Sequence, residues 1–471
     1  MPKLLKTLYD VSDKDANNAA DQERKERTAM IDRYWSYYWG NHPKPLKIEA
    51  GMDDNVILNL CQMVIDKKVA FLLPDDLKIT LPMSDDAPNE SADDPTVELI
   101  EAWLDNNNFP QFAVDMAISG MIAGHNFVKL YIADDGLYFS LLDPRQVVVF
   151  WRRGLSLEPA WYNIQWSEGD TNYRQDIVPT WMFTPQEGDD IQADQWIIID
   201  YELNKGGKWE ELARDVWAYP FPPVVDWKNK FKPFAYYGES DLTHYALNDA
   251  VNYLASNTNK IIRFHASPRT VLKGFAKMPR DPMTGDHTPY NPNQIIEIGE
   301  NDDLYIVEPA ADLVSSMTLL EKLQNMFFTQ AKVIDLATIQ DKLGQITNFG
   351  VKMMFSDMLA DLRQKQGLYG TGLAWLVWYG MVIQEVNIPL PVIQWPDPLP
   401  ENMLEKAQIA QIEKNIGTAS TQTLSEELGH DWATEEERLA VDAEQSASAL
   451  DRVMQGQGQF LGNDNANGSQ P

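Results

Sequence analysis

The sequence predicts an α+β fold. Two observations carry that reading: several long stretches repeat apolar residues at three-to-four spacing, and a central block sets short apolar runs between Asp-Gly and Asp-Pro turns, the pattern of antiparallel hairpins. At 471 residues and 44% hydrophobic composition, the chain can bury one large core or two to three ordinary ones.

The first segment, up to about Trp39, reads as a charged helix that turns aromatic. Tyr34, Trp35, Tyr37, Tyr38 and Trp39 bunch before the turn Gly40-Asn41-His42-Pro43, a packing anchor rather than a binding cage. After Met52, the spacing of Val56, Leu60, Val64 and Val69 predicts a helix ending near Pro74, followed by a short strand from Leu77 to Leu81. An acidic loop, Ser84 to Asp94, precedes helices from Thr96 to Asn106 and from Phe109 to Ala123. Gly124 opens the strand block. Phe127 to Ile132, Leu137 to Leu142 and Gln146 to Phe150 are its first strands; further ones are expected at Ala160 to Trp166, Trp181 to Phe183, Trp196 to Tyr201 and Val216 to Tyr219. Pro220, Pro222, Pro223 and Pro233 then read as a stiff link.

From Glu239 to Gly350 the chain reads as two rods with a tip between them. Ser240 is a good N-cap and Asp241 puts a negative charge in the first turn of a helix that ends before Pro268, about 27 residues or roughly 40 Å. Leu247, Val251, Leu254, Thr258, Ile261 and Ile262 form one stripe; Asn248, Asn252, Ser256, Asn259 and Arg263 form another that is mostly neutral amide. The second rod runs from Asp312 to about Thr338. Between them, Pro268 to Pro309 holds six prolines and three short apolar runs, a small α/β knob. A polar loop, Gln340 to Phe349, leads into a third long helix from Gly350 to Glu385, apolar nearly all round from Leu373 to Ile383 and therefore buried by neighbours. Val392 to Trp395 is a short strand. Helices then follow from Glu401 to Ile416, from Thr421 to Leu428 and from the capping box at Thr434 to about Met454. The Gly/Gln/Asn/Ser tail from Gln455 is expected to be disordered.

A formal net charge of -31 argues against tight, non-specific nucleic-acid binding by the chain as a whole. One region runs the other way: Lys260, Arg263, Arg269, Lys273, Lys277 and Arg280 form a basic belt with no acidic residue among them, a docking surface or an ordinary solvated face. The single cysteine, Cys61, reads as a buried apolar residue and excludes an internal disulfide. No signal peptide is read at the start. The stretch Gly367 to Ile383 is uncharged but only 17 residues long, which favours a core helix over a membrane span. Phosphate-loop, zinc-protease, paired-cysteine and serine-hydrolase motifs are absent. The six histidines are scattered, and the seven Asp-Asp pairs lack calcium-loop spacing, so no catalytic residue, metal ligand or cofactor is nominated.

Several segments carry a resemblance: Tyr37-Tyr38-Trp39-Gly40-Asn41-His42, the run Asn59 to Asp66 leading to Phe71-Leu72-Leu73, the hairpin block from Gly124 to Asp143-Pro144, Gly238-Glu239-Ser240-Asp241-Leu242, Pro268 to Gly274, and the transition from Gly344 to Met353. In these, over roughly residues 30 to 445, the chain resembles the portal proteins of tailed bacteriophages of the siphovirus type. The resemblance implies a mixed α/β wing over 1–237, stem helices at 238–266 and 312–339, a small α/β clip at 267–311, a tunnel loop at 340–349, a long helix returning to the wing over 350–400, a small helical crown at 401–454, and the tail beyond it. It implies a ring, dodecameric in the family, at one capsid vertex of the virion, formed in the host cytoplasm during assembly and conducting double-stranded DNA in packaging and ejection without binding it tightly. Implied partners are the terminase large subunit, a head-to-tail connector protein, and the major capsid and scaffolding proteins, with no membrane. Lys342, Gln345, Thr347 and Asn348 are then the channel-facing residues, and Arg269, Lys273, Lys277 and Arg280 the docking residues of the clip.

Two other readings stand beside this one. Fifteen tryptophans with abundant carboxylates also suit an acidic glycoside hydrolase, although no catalytic pair can be named. Another ring component of the head-to-tail junction is the third.

Overall fold

The structure is a computed structural model that describes residues 14–48, 52–73, 77–82, 95–151, 159–182, 195–266, 269–273, 303–307, 313–334, 348–396 and 403–429, with 398, 432, 435, 438 and 439. The chain divides into two units, Met1–Pro398 and Leu399–Pro471.

In the first unit, α1 (Lys14–Tyr38), α2 (Leu60–Leu72), α3 (Pro95–Asn106) and α4 (Phe109–Ala123) precede the main strands, and a short strand β1 (Lys78–Thr80) lies between α2 and α3. Strands β2 (His125–Ala133) and β3 (Gly136–Leu142) pair antiparallel around Asp135-Gly136. Then come β4 (Val147–Trp151), β5 (Pro159–Glu168), β6 (Thr171–Pro179), β7 (Trp196–Leu203) and β8 (Trp209–Trp217), which form a five-stranded antiparallel meander in sequence order. Strand β9 (Val224–Lys228) joins β2 on the side opposite β3.

The five-stranded sheet is buried on both faces along β4 and the middle of β5, whereas β8 is largely exposed. Val147, Val149, Tyr162, Ile164 and Ile177 pack with Phe127 and Val224 of the smaller sheet, while Val148, Phe150, Trp161, Val178 and Ile197 fill the other side. This explains the unbroken apolar run of β4, since a strand covered on both sides has no solvent face to alternate with.

The rods are α5 (Tyr245–Ala266) and α6 (Leu313–Gln330), which pack on each other. Beyond them, β10 (Arg269–Lys273) and β11 (Asp303–Val307) form an antiparallel ladder. Next are α7 (Asn348–Met354), a break at Phe355, α8 (Ser356–Ile383), and β12 (Val392–Gln394), which pairs with β1 across some 310 positions of sequence, Lys78 opposite Gln394. The main core joins α1 to α4, the β2–β3–β9 sheet and α8. Glycines of α8 fit closely against tryptophans there. A Cβ on Gly372 would lie 2.3 Å from the ring of Trp227, and one on Gly380 would lie 2.4 Å from that of Trp103. Three of the glycines that break up the apolar stretch from Gly367 to Ile383 are thus notches, Gly370 receiving Trp395. Among the described residues no helix is long and apolar enough to cross a membrane. In the second unit, α9 (Met403–Ile416) and α10 (Thr421–Glu427) are joined at Gly417.

Five expectations need correction. The helix expected from Met52 begins only at Leu60; residues 53–59 are extended, for a reason given below. Residues 181–183 hold no strand at Trp181 and Met182, which end a 3-10 turn after β6, a strand the sequence reading missed. The presumed stiff link contains β9, because Pro220, Pro222 and Pro223 all lie before the ladder and cost it no hydrogen bond. Strand β8 starts at Trp209, seven residues early. The second rod ends at Gln330 instead of Thr338: Lys332 adopts φ +56, and Val333 N–H bonds Phe328 O at 2.9 Å, a left-handed helix stop made without glycine. The middle of the three apolar runs expected in the knob, Gln294 to Ile298, the loop 340–347, and most of the last helix and all of the tail lie outside the described residues.

Candidate functional site

Two features at the root of α5 set its position. The first is its amide stripe. Asn248 accepts from Leu60 N–H (3.1 Å) and Cys61 N–H (3.2 Å) and donates to Leu58 O (2.8 Å); Asn252 accepts from Leu58 N–H at 2.9 Å. One turn on, Ser256 Oγ both accepts from Val56 N–H and donates to Val56 O, and Asn259 donates to Asp54 O. Asn248, Asn252 and Ser256 are fully buried. These three residues therefore face the chain's own strap, not the neighbour or channel that the portal resemblance implies for the stripe. It serves as the pairing edge for an extended strap, residues 54–59, and for the first N–H groups of α2, whose backbone polar groups would otherwise lack these partners. Arg263 continues the zipper with an ion pair to Asp54 at 2.6 Å, so this member of the basic belt is already engaged.

The second feature is a buried ion cluster. The sequence reading puts Asp241 in the first turn of the helix, but α5 starts at Tyr245, and Ser240 caps the preceding turn by accepting from Leu242 N–H. The Asp241 carboxylate is instead fully buried. It meets Lys68 of α2, Lys230 and Lys365 of α8, each at 2.6 Å, and receives Asn229 Nδ2 at 3.0 Å. Asp361, one turn before Lys365, takes Lys68 at 2.8 Å and Lys332 at 3.4 Å. Lys365 also donates to Asn229 Oδ1, which accepts Tyr369 OH as well. Burial alone would raise the Asp241 pKa, but the ammoniums of Lys365, Lys68 and Lys230 outweigh it and hold the group well below the usual carboxylate range. Burial likewise pushes the two lysines down. Lys68 sits between two carboxylates and ends above its ordinary value, whereas Lys365 shares Asp241 with two other cations and is lowered to about 8. Four segments distant in sequence are tied together at this point.

Backbone contact completes the root. Gly124, at φ +85, and Gly238 cross so closely that a Cβ on Gly238 would lie 2.4 Å from Gly124 O. Nearby, Asp226 accepts from Tyr162 OH and Tyr236 OH at 2.7 Å and pairs with His125 Nε2 at 2.8 Å; burial holds the His125 pKa below its ordinary value. His125 is thus a structural histidine. The aromatic anchor of α1 behaves as read from sequence: Tyr37 OH donates to Asp249 of α5 and Tyr38 OH to Asp66 of α2.

Of the docking residues, Arg269 and Lys273 are the ends of β10, registered opposite Val307 and Asp303; Lys277 and Arg280 lie outside the described residues. Asn348 is the first residue of α7, while Lys342, Gln345 and Thr347 lie outside. The ion cluster escaped the sequence reading, although a signal exists: Asp361 and Lys365 interrupt the buried stripe Met358, Leu362, Tyr369, and Lys68 interrupts the stripe Val64, Ile65, Leu72. A charge inside an apolar stripe needs a buried partner.

Nothing in this geometry activates a nucleophile or water; it is a structural junction. Residues 17–176 match the family model described as "Phage portal protein, SPP1 Gp6-like". A chain of the "Virion of native gene transfer agent (GTA) particle" aligns with TM-score 0.50 and 12% identity over 86% of this chain and 93% of its own. A chain of the "Neck of empty GTA particle computed with C6 symmetry" gives the same score and identity over 79% and 90%. No curated protein matches the sequence. The family model matches the N-terminal part of the chain, and the two solved structures share its fold. None of these matches supports the glycoside hydrolase reading. Trp103, Trp161 and Trp227 are core residues rather than a sugar platform.

Proposed function

We propose that this protein forms a ring, of about twelve copies, at one vertex of a phage capsid, and that double-stranded DNA passes through it in packaging and ejection. The carrying observation is the portal family match over residues 17–176 joined to a fold shared with components of a particle virion and neck. On this reading residues 1–237 are the wing, α5 and α6 the stem, the β10–β11 ladder part of the clip, residues 340–349 the tunnel loop, α8 the long helix, and α9 with α10 part of the crown.

Charge supports a conduit. Twelve copies at -31 each carry about -370 formal charges, so a duplex inside slides under net repulsion instead of sticking. Lys342, Gln345, Thr347 and Asn348 line the narrow part of the channel. Arg269, Lys273, Lys277 and Arg280 at the clip meet the terminase large subunit and later the connector; capsid and scaffolding proteins meet the wing.

Native mass measurement with negative-stain imaging tests the reading. At 53.6 kDa per copy, a particle of roughly 0.6 MDa with a central hole is expected, and a chain that stays monomeric at all accessible concentrations would overturn it.

A further inference from the structure

Between β9 and α5 the chain makes a short excursion, Asn229 to Gly238, whose tip is Phe231-Lys232-Pro233-Phe234. All four tip residues are exposed, and Phe234 is 100% exposed at φ +60, a conformation costly for an aromatic residue. The tip is nevertheless held. Lys228 Nζ donates to Ala235 O at 2.7 Å, Ala235 N–H closes a turn on Lys232 O, Asn229 Nδ2 donates to Glu239 O, and the base is pinned by the Gly124–Gly238 crossing. The local sequence has lysines at 228, 230 and 232, but Lys228 and Lys230 turn inward onto Ala235 O and Asp241. One cation and two aromatic rings remain at the surface. That is too little positive charge for a phosphate track and has the composition of a rigid interface anchor.

A matching receptor lies on the same chain. A cleft of about 600 Å³ is lined by Trp35, Trp39, Phe112 and Ile118, with the carboxylates of Asp115 and Asp143 in its wall. Trp39 is stacked on Trp35 yet 64% exposed. Arg145 already engages Asp143, whereas Asp115 accepts from the neutral Gln111. The volume suits bulky apolar groups. The chain does not fill its own cleft: Phe234 stands free, and α4 runs about 13 Å from Asp115 to the tip's base at Gly124.

We propose that the Phe231–Phe234 tip of one copy enters the Trp35/Trp39/Phe112 cleft of the next, with Lys232 against Asp115, a head-to-tail contact between copies of this chain. Such a heterologous contact, with plug and socket at different places on one subunit, is the kind that propagates around a ring. The inference rests on the ring reading above and deepens it by naming a contact that closes the ring.

The test compares the full-length chain with a Phe231→Ser/Phe234→Gly variant by native mass measurement across a concentration series. Glycine at 234 relieves the left-handed strain, so the subunit should melt at or above the wild-type temperature while the concentration for half-assembly rises at least tenfold. A second arm pairs Phe234→Cys with Ile118→Cys, Cys61 being buried. Oxidation should give a ladder of disulfide-linked oligomers absent from either single variant. Wild-type assembly by the folded Phe231→Ser/Phe234→Gly variant, or no ladder, overturns this contact and leaves the ring reading standing. Normal rings that instead lose a phage protein bound by wild type would give the tip to that partner and also overturn it. A wild-type chain that never assembles overturns both.

Discussion

The Asp241 carboxylate meets the Lys365 ammonium at 2.6 Å with both side chains almost wholly withdrawn from solvent. Asp241 also holds Lys68 and Lys230, so it is the common counter-ion of three cations from separate segments. Removing it strands buried positive charge, whereas removing Lys365 relieves repulsion among those that remain. Asp241→Asn should therefore cost about 3–5 kcal/mol in urea unfolding, and Lys365→Met distinctly less. Equal losses would mean the cluster is not organised around Asp241.

The same pair sets an alkaline signature. The native state releases the Lys365 proton near pH 8, while an unfolded lysine keeps it to about 10.4. Over that window the unfolded state binds more protons, so the contribution of Lys365 to stability rises with pH. Lys68, raised in the native state, works in the opposite sense: its contribution is complete below the unfolded value and is lost as pH passes through the native one. Between pH 7.5 and 9.5, wild type should gain on the order of 2 kcal/mol relative to Lys365→Met, measured as the difference between their unfolding free energies. A pH-independent difference would show that Lys365 does not titrate there.

Two backbone crossings predict steric effects with different readouts. Ala at 238 drives its Cβ against Gly124 O and against Lys230 O at 2.8 Å, where no flexible side chain can yield. Gly238→Ala should cost about 1–3 kcal/mol or more and loosen the α5 root, seen as faster amide exchange at Asp241 and Leu242. Gly372→Ala meets the Trp227 ring instead and should cost a similar amount while changing tryptophan fluorescence. An unchanged emission spectrum would place Trp227 elsewhere.

Local chemistry was legible wherever neighbours in sequence are neighbours in space. The helix from Phe109 to Ala123 and the hairpin around Asp135-Gly136 follow from spacing and turn type alone, and both formed as read. Across distance, polarity misled. Val56 fits a helical stripe with Leu60, yet Val56 lies in an extended strap, because Asn248, Asn252 and Ser256, nearly 200 residues later, supply hydrogen bonds to the strap and to the start of α2. The amides looked like an outer face because nothing local reveals a buried backbone edge for them to satisfy. The ion cluster is hidden for the same reason: Lys68, Asp241 and Asp361 become partners only once the fold exists. Of the site residues named from the family resemblance, Arg269, Lys273 and Asn348 have a described backbone position, and that position does not by itself give them a role.

The strap makes its own prediction. Asn248→Ala leaves Leu60 N–H, Cys61 N–H and Leu58 O without their side-chain partner in a buried place and should cost on the order of 3 kcal/mol. Amide exchange at Leu58 and Leu60 should accelerate before that of α8. If both amides keep their protection, the stripe is free, and the expectation that it faces a neighbour or channel revives.

The channel and docking readings are separable in assembled particles. Deleting Gly344 to Asn348 removes half of the loop and none of the residues of the Asp241 cluster or the strap, so rings should form at wild-type concentration. DNA packaging or retention should fall, and a deletion ring that packages normally would remove these residues from the channel. Reversing Arg269, Lys273 and Lys277 to Glu acts at the other end. Arg263 stays with Asp54, so the reversal leaves α5 anchored, yet it changes the local charge by about six units of the wrong sign for an acidic partner. Binding of the connector should be lost while ring mass is kept. Retained binding would assign the belt to solvent, the reading that Asp303 opposite Lys273 in the β10–β11 register already favours in part.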